Sequence, residues 1–312
     1  MFLPLVAMMA GLLFCSCEKE ESNNQTTSQG EDDPDPDPSV TGGFSVSENL
    51  QVFFSPGNLQ WSAKGGGSMD TTHIVVGGGT APGIWRFSPN QWDVIGADNS
   101  NISSSYSGWI DLFGWGTSEY LRKYPYMTSQ SDSDYGNGER NISGTKYDWG
   151  VFNAIYNTKT NTTDSAGTWR TLTRDEWEYL INTRTTTSGI RYAKAIVNGV
   201  SGLVLVPDNW SNSTYALDST NTADATFGSN VITTEQWAVL ENADAVFLPI
   251  AGYRYGTTVD KVDFSGHYWS STNGGISLAY HMTFFNDNVY TDHFGGQRQF
   301  GFNVRLVRNV IN

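Results

Sequence analysis

The sequence predicts an α+β domain. Three observations carry that expectation. Short apolar runs bounded by Gly, Asn, Ser and Pro read as strands. Two segments carry the cap and the periodicity of helices. Finally, 11 Trp, 15 Tyr and 16 Phe against 16% charged residues make large apolar anchors, rather than ion pairs, the main source of core packing. At 312 residues the chain exceeds an average domain, yet β-rich single domains reach that size. No repeat with a period of roughly 20–50 residues is present, which disfavours a solenoid or propeller.

Residues 1–17 form a short apolar run that closes on Phe14-Cys15-Ser16-Cys17. It falls short of the roughly 20 residues a bilayer core requires. It resembles a lipoprotein signal peptide with a small residue just before an acylated cysteine, Cys17. On that expectation residues 1–16 are removed, and the mature chain keeps no cysteine for a disulfide, a thiol nucleophile or a metal site. A basic n-region is missing, which predicts a start of translation a few codons upstream. Glu18-Lys19-Glu20-Glu21 resembles the acidic export signal of Bacteroidetes lipoproteins on the outer face of the outer membrane; the alternative is a solvated spacer. The expected localisation is therefore the outer membrane, lipid-anchored and surface-exposed.

Residues 18–42 are polar and include Asp32-Asp33-Pro34-Asp35-Pro36-Asp37-Pro38, a composition that cannot bury a core and predicts a disordered, extended tether. Glu18, Glu20, Glu21, Glu31, Asp32, Asp33, Asp35 and Asp37 against Lys19 account for half of the net charge of −14. The remaining domain, residues 43–312, is only mildly acidic, and no nucleic-acid partner is expected.

Within that domain, Gln51-Val52-Phe53-Phe54-Ser55 and Leu59-Gln60-Trp61 predict a hairpin. Residues 62–83 read as a Gly-rich loop; Gly77-Gly78-Gly79 lacks the following Lys and Ser or Thr of a phosphate loop. A helix is predicted over 174–183, with Thr173 and Glu176 as a capping box and Trp177, Leu180 and Ile181 as its apolar stripe. That role displaces a catalytic reading of Asp175 or Glu176. Arg191 to Val197 and Leu203 to Val206 flank Asn198-Gly199, the signature of a tight hairpin, and Pro207 ends the second strand. A second helix is predicted over 234–242, capped by Thr233 and Gln236, with Trp237 and Leu240 inward. Ala245-Val246-Phe247-Leu248-Pro249 then leads into the C-terminal block.

From about 252 to 308 a strand framework alternates with interchangeable small, polar and aromatic residues. The framework is Tyr268-Trp269-Ser270-Ser271, Ala279, Met282, Phe284, Val289, Arg298 and Gly301-Phe302-Asn303-Val304-Arg305-Leu306-Val307. Alternation along a strand predicts Tyr280, Met282 and Phe284 inside, with His281, Thr283 and Phe285 looking outward.

Gly252-Tyr253-Arg254, Tyr268-Trp269-Ser270-Ser271 and Gly301 to Val307 are similar to the C-terminus of bacterial surface lipoproteins with a C-type-lectin-like fold. That group includes the Fibrobacter major paralogous domain and the variable proteins of diversity-generating retroelements. The resemblance extends upstream through Phe53, Ser55, Gly57 to Gln60, Trp85-Arg86-Phe87, Trp109, Asp111 to Gly116 and Trp169 to Trp177, and so covers most of the chain after residue 43. It implies short twisted antiparallel strands, two short helices, long loops and a C-terminal face that binds a protein or glycan ligand. In retroelement variable proteins template adenines are randomised, and most interchangeable positions here carry residues that an Asn codon can reach; Gln297 and Gln299 do not. A diversified target and a non-diversified relative are both compatible with that pattern.

The residues implied as contacts are His267, Tyr268, Asn273, Tyr280, His281, Thr283, Phe285, Asp287, Tyr290, Asp292, His293, Phe294 and Phe300. Tyr268 and Tyr280 read equally as core. Aromatic rings supply contact area at low entropy cost, and short polar residues adapt locally.

No reaction and no cofactor is expected. Of the four histidines, His267, His281 and His293 fall in this block, but neither an HExxH nor a paired-cysteine motif accompanies them or His73. The calcium-binding triplets of sugar-binding C-type lectins are missing; Pro207-Asp208-Asn209-Trp210 has the wrong order, and Ser131-Asp132-Ser133-Asp134 is at most a weak oxygen-rich site. Neither the active-site cysteines of the formylglycine-generating enzyme nor the histidine-rich site of related iron-dependent oxygenases, which share the broad fold, maps onto this chain. A fimbrial or structural subunit is the alternative reading. Asp70-Thr71-Thr72, Asp164-Ser165-Ala166 and Asp218-Ser219-Thr220 resemble the O-glycosylation triplet of secreted Bacteroidetes proteins.

Overall fold

The computed structural model describes residues 42–63 and 83–311 apart from the side chains of residues 292–294, and its strands are of two kinds, alternating ones such as the first and ones buried on both faces such as Val246–Pro249. The expected signal segment, nearly all of the tether, Gly77-Gly78-Gly79 and Asp70-Thr71-Thr72 lie outside the described residues. β1 (Phe44–Ser47) buries Phe44 and Val46 and leaves Ser45 and Ser47 half-exposed. Next come β2 (Leu50–Phe54), β3 (Leu59–Ser62), β4 (Ile84–Phe87), β5 (Ile155–Asn157), β6 (Thr162–Asp164) and β7 (Arg170–Thr171). β8 (Tyr192–Val197), β9 (Val200–Leu205), β10 (Val231–Ile232) and β11 (Val246–Pro249) form the middle of the chain. The C-terminal block holds β12 (Tyr253–Tyr255), β13 (Thr258–Asp260), β14 (Gly266–Asn273), β15 (Leu278–Phe284), β16 (Val289–Gln297) and β17 (Leu306–Asn309).

These strands make sheets ordered β1-β2-β17-β7, β3-β4-β5-β6, β10-β8-β9-β11 and β14-β15-β16, with β12 and β13 as a separate hairpin. Together with short helices they give the α+β class. β2 and β17, from opposite ends of the described chain, run antiparallel with Phe54 opposite Val307 and Val52 opposite Asn309.

The two predicted helices form where their caps place them. α1 (Trp149–Phe152) is a single turn capped by Asp148. α2 (Arg174–Glu178) starts at the Thr173–Glu176 capping box and continues through a π turn, Tyr179–Thr183, so the predicted 174–183 is helical but widens at its end. Trp177, Leu180 and Ile181 are buried in one cluster with Phe44, Tyr268, Met282 and Phe284. α3 (Thr234–Asn242) carries the Thr233–Gln236 box and buries Trp237 and Leu240 against Phe247 and Val204. The β8–β9 turn is the expected one: Asn198 and Gly199 both have left-handed backbone, φ 48° and 81°.

One expectation is corrected. Residues 51–55 and 59–61 do not pair with each other. β2 lies between β1 and β17, whereas β3 pairs with β4. Ser55 N–H donates to Leu306 C=O at 2.8 Å and Leu59 N–H to Val304 C=O at 2.9 Å, so the returning C-terminal segment takes the hydrogen bonds a hairpin would have used.

Guanidinium groups hold the loops inside. Arg184 is buried and donates to Asp208 Oδ1 at 2.8 Å and to the carbonyls of Leu180, Arg191 and Val206. Arg305 reaches Gln91 Oε1 at 2.6 Å and Phe247 C=O. Burial lowers both pKa values to about 10, which still leaves them charged; Arg184 meets fixed acceptors at Nε, Nη1 and Nη2, whereas Arg305 meets them at Nη1 and Nη2 and its buried Nε has none. Asp208, in the Pro207-Asp208-Asn209 segment, also accepts from Ser45 N–H and Oγ–H and from Gln51, so its oxygens are committed to structure. Among the described residues no helix is long and apolar enough to cross a membrane.

Candidate recognition surface

The framework of the C-terminal block is closed by hydrogen bonds. Tyr268 is buried; its hydroxyl donates to Pro249 C=O at 2.8 Å and accepts from Asn58 at 3.2 Å. Trp269 Nε1 donates to Phe113 C=O at 2.7 Å, and Trp115 Nε1 to Ser270 C=O at 2.8 Å. These bonds fix β14 from below.

Phe302 then organises the other face. Reciprocal backbone bonds to Phe113, 2.9 and 3.0 Å, hold it in place, and Asn303 bridges to the backbone of His267 and Trp269. Its ring lies 4.4 Å from that of Trp269, 4.6 Å from His281 and 4.8 Å from His267, the last nearly parallel at 16°. His281 is therefore covered by the chain's return and is only 3% exposed, and Thr283, on the rung between His267 and Tyr290, is 0% exposed. This corrects the expectation that both look outward. Tyr268 belongs to the core, which removes it from the contact set.

The rungs of the sheet give the order of this face. His267 pairs with Thr283 and Thr283 with Tyr290; Trp269 pairs with His281 and His281 with His293. Thr283 Oγ1 donates to Gly266 C=O at 3.0 Å, so it accepts from His267 Nδ1–H, also at 3.0 Å. That assigns the proton to Nδ1 and leaves Nε2 to accept from Ser265 Oγ–H at 3.0 Å.

From His267 the rings continue outward to solvent. His267 touches Tyr253 edge-on at 5.7 Å and Phe285 at 6.1 Å; Phe285 meets Phe264 at 6.2 Å and Tyr290 at 6.4 Å. On the other side Tyr253 and Tyr255 each lie 5.6 Å from Phe300. Phe264 and Tyr290 are 56% and 41% exposed, so the strip ends as an open aromatic surface.

The remaining contacts expected from sequence divide by environment. Phe300, Phe285 and Tyr290 sit in the strip, and Asp287 is exposed near it. Tyr280 is half-buried and lies under the Arg174 guanidinium, 5.0 Å away, beside α2. Asn273 donates to Glu139 C=O at 2.9 Å and accepts from Gly275 N–H and Arg298, so its amide ties the β14–β15 hairpin to a neighbouring loop. Asp292, His293 and Phe294 lie in β16, and their side chains fall outside the described set.

Tyr253, Tyr255 and Phe264 were not among the expected contacts. β12 reads Tyr-Arg-Tyr: buried Arg254 donates to the carbonyls of Leu112, Met127 and Gly256, which turns both tyrosines to the opposite face. The signal was present as aromatic residues two apart around an arginine. Tyr253, Tyr255, Phe300, Thr258, Asp260 and Gln297 line a cleft of about 350 Å³. Burial and then the Asp260 charge push the Tyr253 phenol upward, and its hydroxyl donates to Asp260 Oδ2 at 3.3 Å.

Among the described residues no group of three His, Cys, Asp or Glu could hold a metal ion. Chemically, the surface can stack, bury apolar area and accept hydrogen bonds. Compared with protein-family models, curated proteins and solved structures, the chain matches none.

Proposed function

We propose that this chain is a lipid-anchored protein of the outer membrane whose C-type-lectin-like domain binds a macromolecular ligand, protein or glycan, through the aromatic strip of its C-terminal block. One observation carries the reading. Framework residues 268–271 and 302–307 are buried and hydrogen-bonded, while the rings of Phe285, Tyr290, Phe264 and Phe300 are held at the surface on that rigid base. Such rings give contact area without a large entropic cost on binding, because the scaffold has already fixed them. The α+β class, the paired terminal strands and the two capped helices accord with the C-type-lectin-like resemblance. Interchangeable residues at Phe285, Asp287, Tyr290 and Phe300 accord with diversification.

The experiment applies the full chain, and a variant with Phe285, Tyr290 and Phe300 all replaced by Ser, to glycan arrays and to a panel of bacterial and host surface proteins. Specific capture that falls about tenfold or more in the triple variant supports the surface. Capture that is unchanged places recognition elsewhere. Cys17→Ala tests the anchor by releasing the protein from the membrane fraction, and whole-cell protease shaving tests display. A near-copy of the segment encoding 252–308, differing almost only at adenines and lying beside a reverse transcriptase gene, tests diversification.

A further inference from the structure

The geometry points to the cleft walled by Tyr253, Tyr255 and Phe300 and closed by Asp260 as a receptor for an alkylammonium group, presented as a lysine side chain of a partner protein. This assignment rests on the reading of the C-terminal block as a recognition surface, and it can fail on its own.

The cleft is built, not incidental. The β12–β13 register sets Tyr253 opposite Asp260 and Tyr255 opposite Thr258. Phe300 is brought over both tyrosines because Gly301 exchanges backbone hydrogen bonds with Arg254, at 2.7 and 2.9 Å, and Phe300 N–H donates to Gln297 C=O at 2.9 Å. The Phe300 plane stands at 47° to Tyr253 and 74° to Tyr255, so the rings make a corner rather than a flat platform. A corner of π faces suits a compact, rounded group; a sugar ring stacks best on one open face.

Charge selects the occupant further. The six lining residues carry one formal charge, that of Asp260. Its carboxylate accepts from Lys261 N–H at 2.8 Å and from the Tyr253 hydroxyl, and among the described residues no cationic side chain forms an ion pair with it. The Lys261 ammonium instead lies 5.1 Å from the Phe264 ring. A ligand cation entering the corner gains the faces of three half-buried rings and, at the exposed rim, the Asp260 carboxylate, whose attraction is screened by water and salt. An anionic group would meet repulsion there. The source is assigned to protein because the apolar strip through Phe285, Phe264 and Tyr290 continues from the cleft and offers area that a small ammonium ion would leave uncovered.

The test titrates the full chain with a short peptide carrying one central lysine, its ε-acetylated counterpart and tetramethylammonium, following the aromatic side-chain signals by NMR. The lysine peptide is expected to shift the Tyr253, Tyr255 and Phe300 signals saturably, and added salt is expected to weaken it. The acetylated peptide is expected to bind at least about fivefold more weakly, and Asp260→Asn and Tyr255→Ala to weaken the lysine peptide by a similar factor. A thermal melt of each variant, unchanged from the parent, shows that the loss is local. Equal response to the lysine and acetylated peptides, or no response to either, overturns the assignment. Response to tetramethylammonium without response to the lysine peptide overturns the protein source. If the strip still captures a macromolecule while the ammonium response is missing, this inference falls and the recognition surface stands; if the triple Ser variant keeps full capture, the surface reading falls with it.

Discussion

Phe302 lies nearly flat on His267, with ring centroids 4.8 Å apart and planes 16° apart. This single contact joins the two halves of the C-terminal block, because Phe302 also meets Trp269 in the core and His281 in the middle of the sheet. A ring in that position transmits the rigidity of the Trp-rich core to the surface strip.

Phe302→Ala is therefore expected to cost about 3–5 kcal/mol, the range for deleting a buried aromatic side chain, measured by urea unfolding. Phe302→Leu fills most of the space and is expected to cost less, while still removing the flat contact with His267. Ligand capture by the strip should fall with Phe302→Leu even where the fold is retained. Unaltered capture would show that the outer rings do not depend on this buried one.

Thr283 is the polar joint of the same face. Its hydroxyl gives its proton to Gly266 C=O and takes that of His267 Nδ1. Thr283→Val keeps the shape but loses the bond to Gly266 C=O and the bond from the half-buried His267 Nδ1–H, at a cost of about 1–3 kcal/mol for the two together. Thr283→Ser keeps the hydroxyl and is expected to recover most of that loss. The comparison is made by urea unfolding, and equal stabilities for the two variants would refute the hydrogen-bond assignment.

Much of the architecture could be read locally. Trp177, Leu180 and Ile181 behind Thr173 announce a helix because cap and period lie within a dozen residues. Asn198-Gly199 announces a turn for the same reason. The failures are all non-local. Nothing near Val52 or Leu59 reveals that residues 304–309 return to take their hydrogen bonds. Nor does alternation in β15 tell that Phe302 covers His281 or that Thr283 is closed in beside His267; period two separates two faces without stating which is wet. Tyr253 and Tyr255 were missed because their outward turn depends on where Arg254 finds carbonyls. The framework could be read from sequence and the covering of its faces could not.

A pH dependence follows from buried carboxyls. Glu119 accepts from Trp61 Nε1 at 3.0 Å and Trp85 Nε1 at 3.1 Å, and burial, only partly opposed by these bonds, pushes it up from 4.5 to about 7. Between those values the folded state holds a proton that the unfolded chain has released. Its contribution is therefore most favourable below about 4.5 and declines as pH climbs to about 7. Asp111 and Asp148, both raised by burial from 3.8 to about 6, add slopes of the same sign over a lower window. Glu119→Gln is expected to flatten the decline between about pH 6 and 7, where the two aspartates contribute least. Melting temperatures across that interval check it, and an identical slope in parent and variant would contradict the assignment.

The cleft itself depends on Gly252. This residue has φ 68°, and a Cβ there would lie 2.2 Å from the Asp260 carbonyl oxygen and 2.6 Å from Val262 N. Those atoms are backbone, so they yield only if β13 moves away from β12. Gly256, in the turn between the two strands, supplies the control: its φ is 59°, also left-handed, but its Cβ would meet nothing nearer than Gln130 at 3.8 Å. Gly256→Ala should cost only the left-handed conformation, about 1–2 kcal/mol. Gly252→Ala should cost that and a steric penalty, about 1–3 kcal/mol more, and it should also abolish the lysine-peptide response, because moving β13 carries Asp260 away from Tyr253. Urea unfolding and the peptide titration, run on both variants, separate the two terms. Equal losses at Gly252 and Gly256 would mean that the hairpin yields freely, and that Asp260 is not fixed against the aromatic corner.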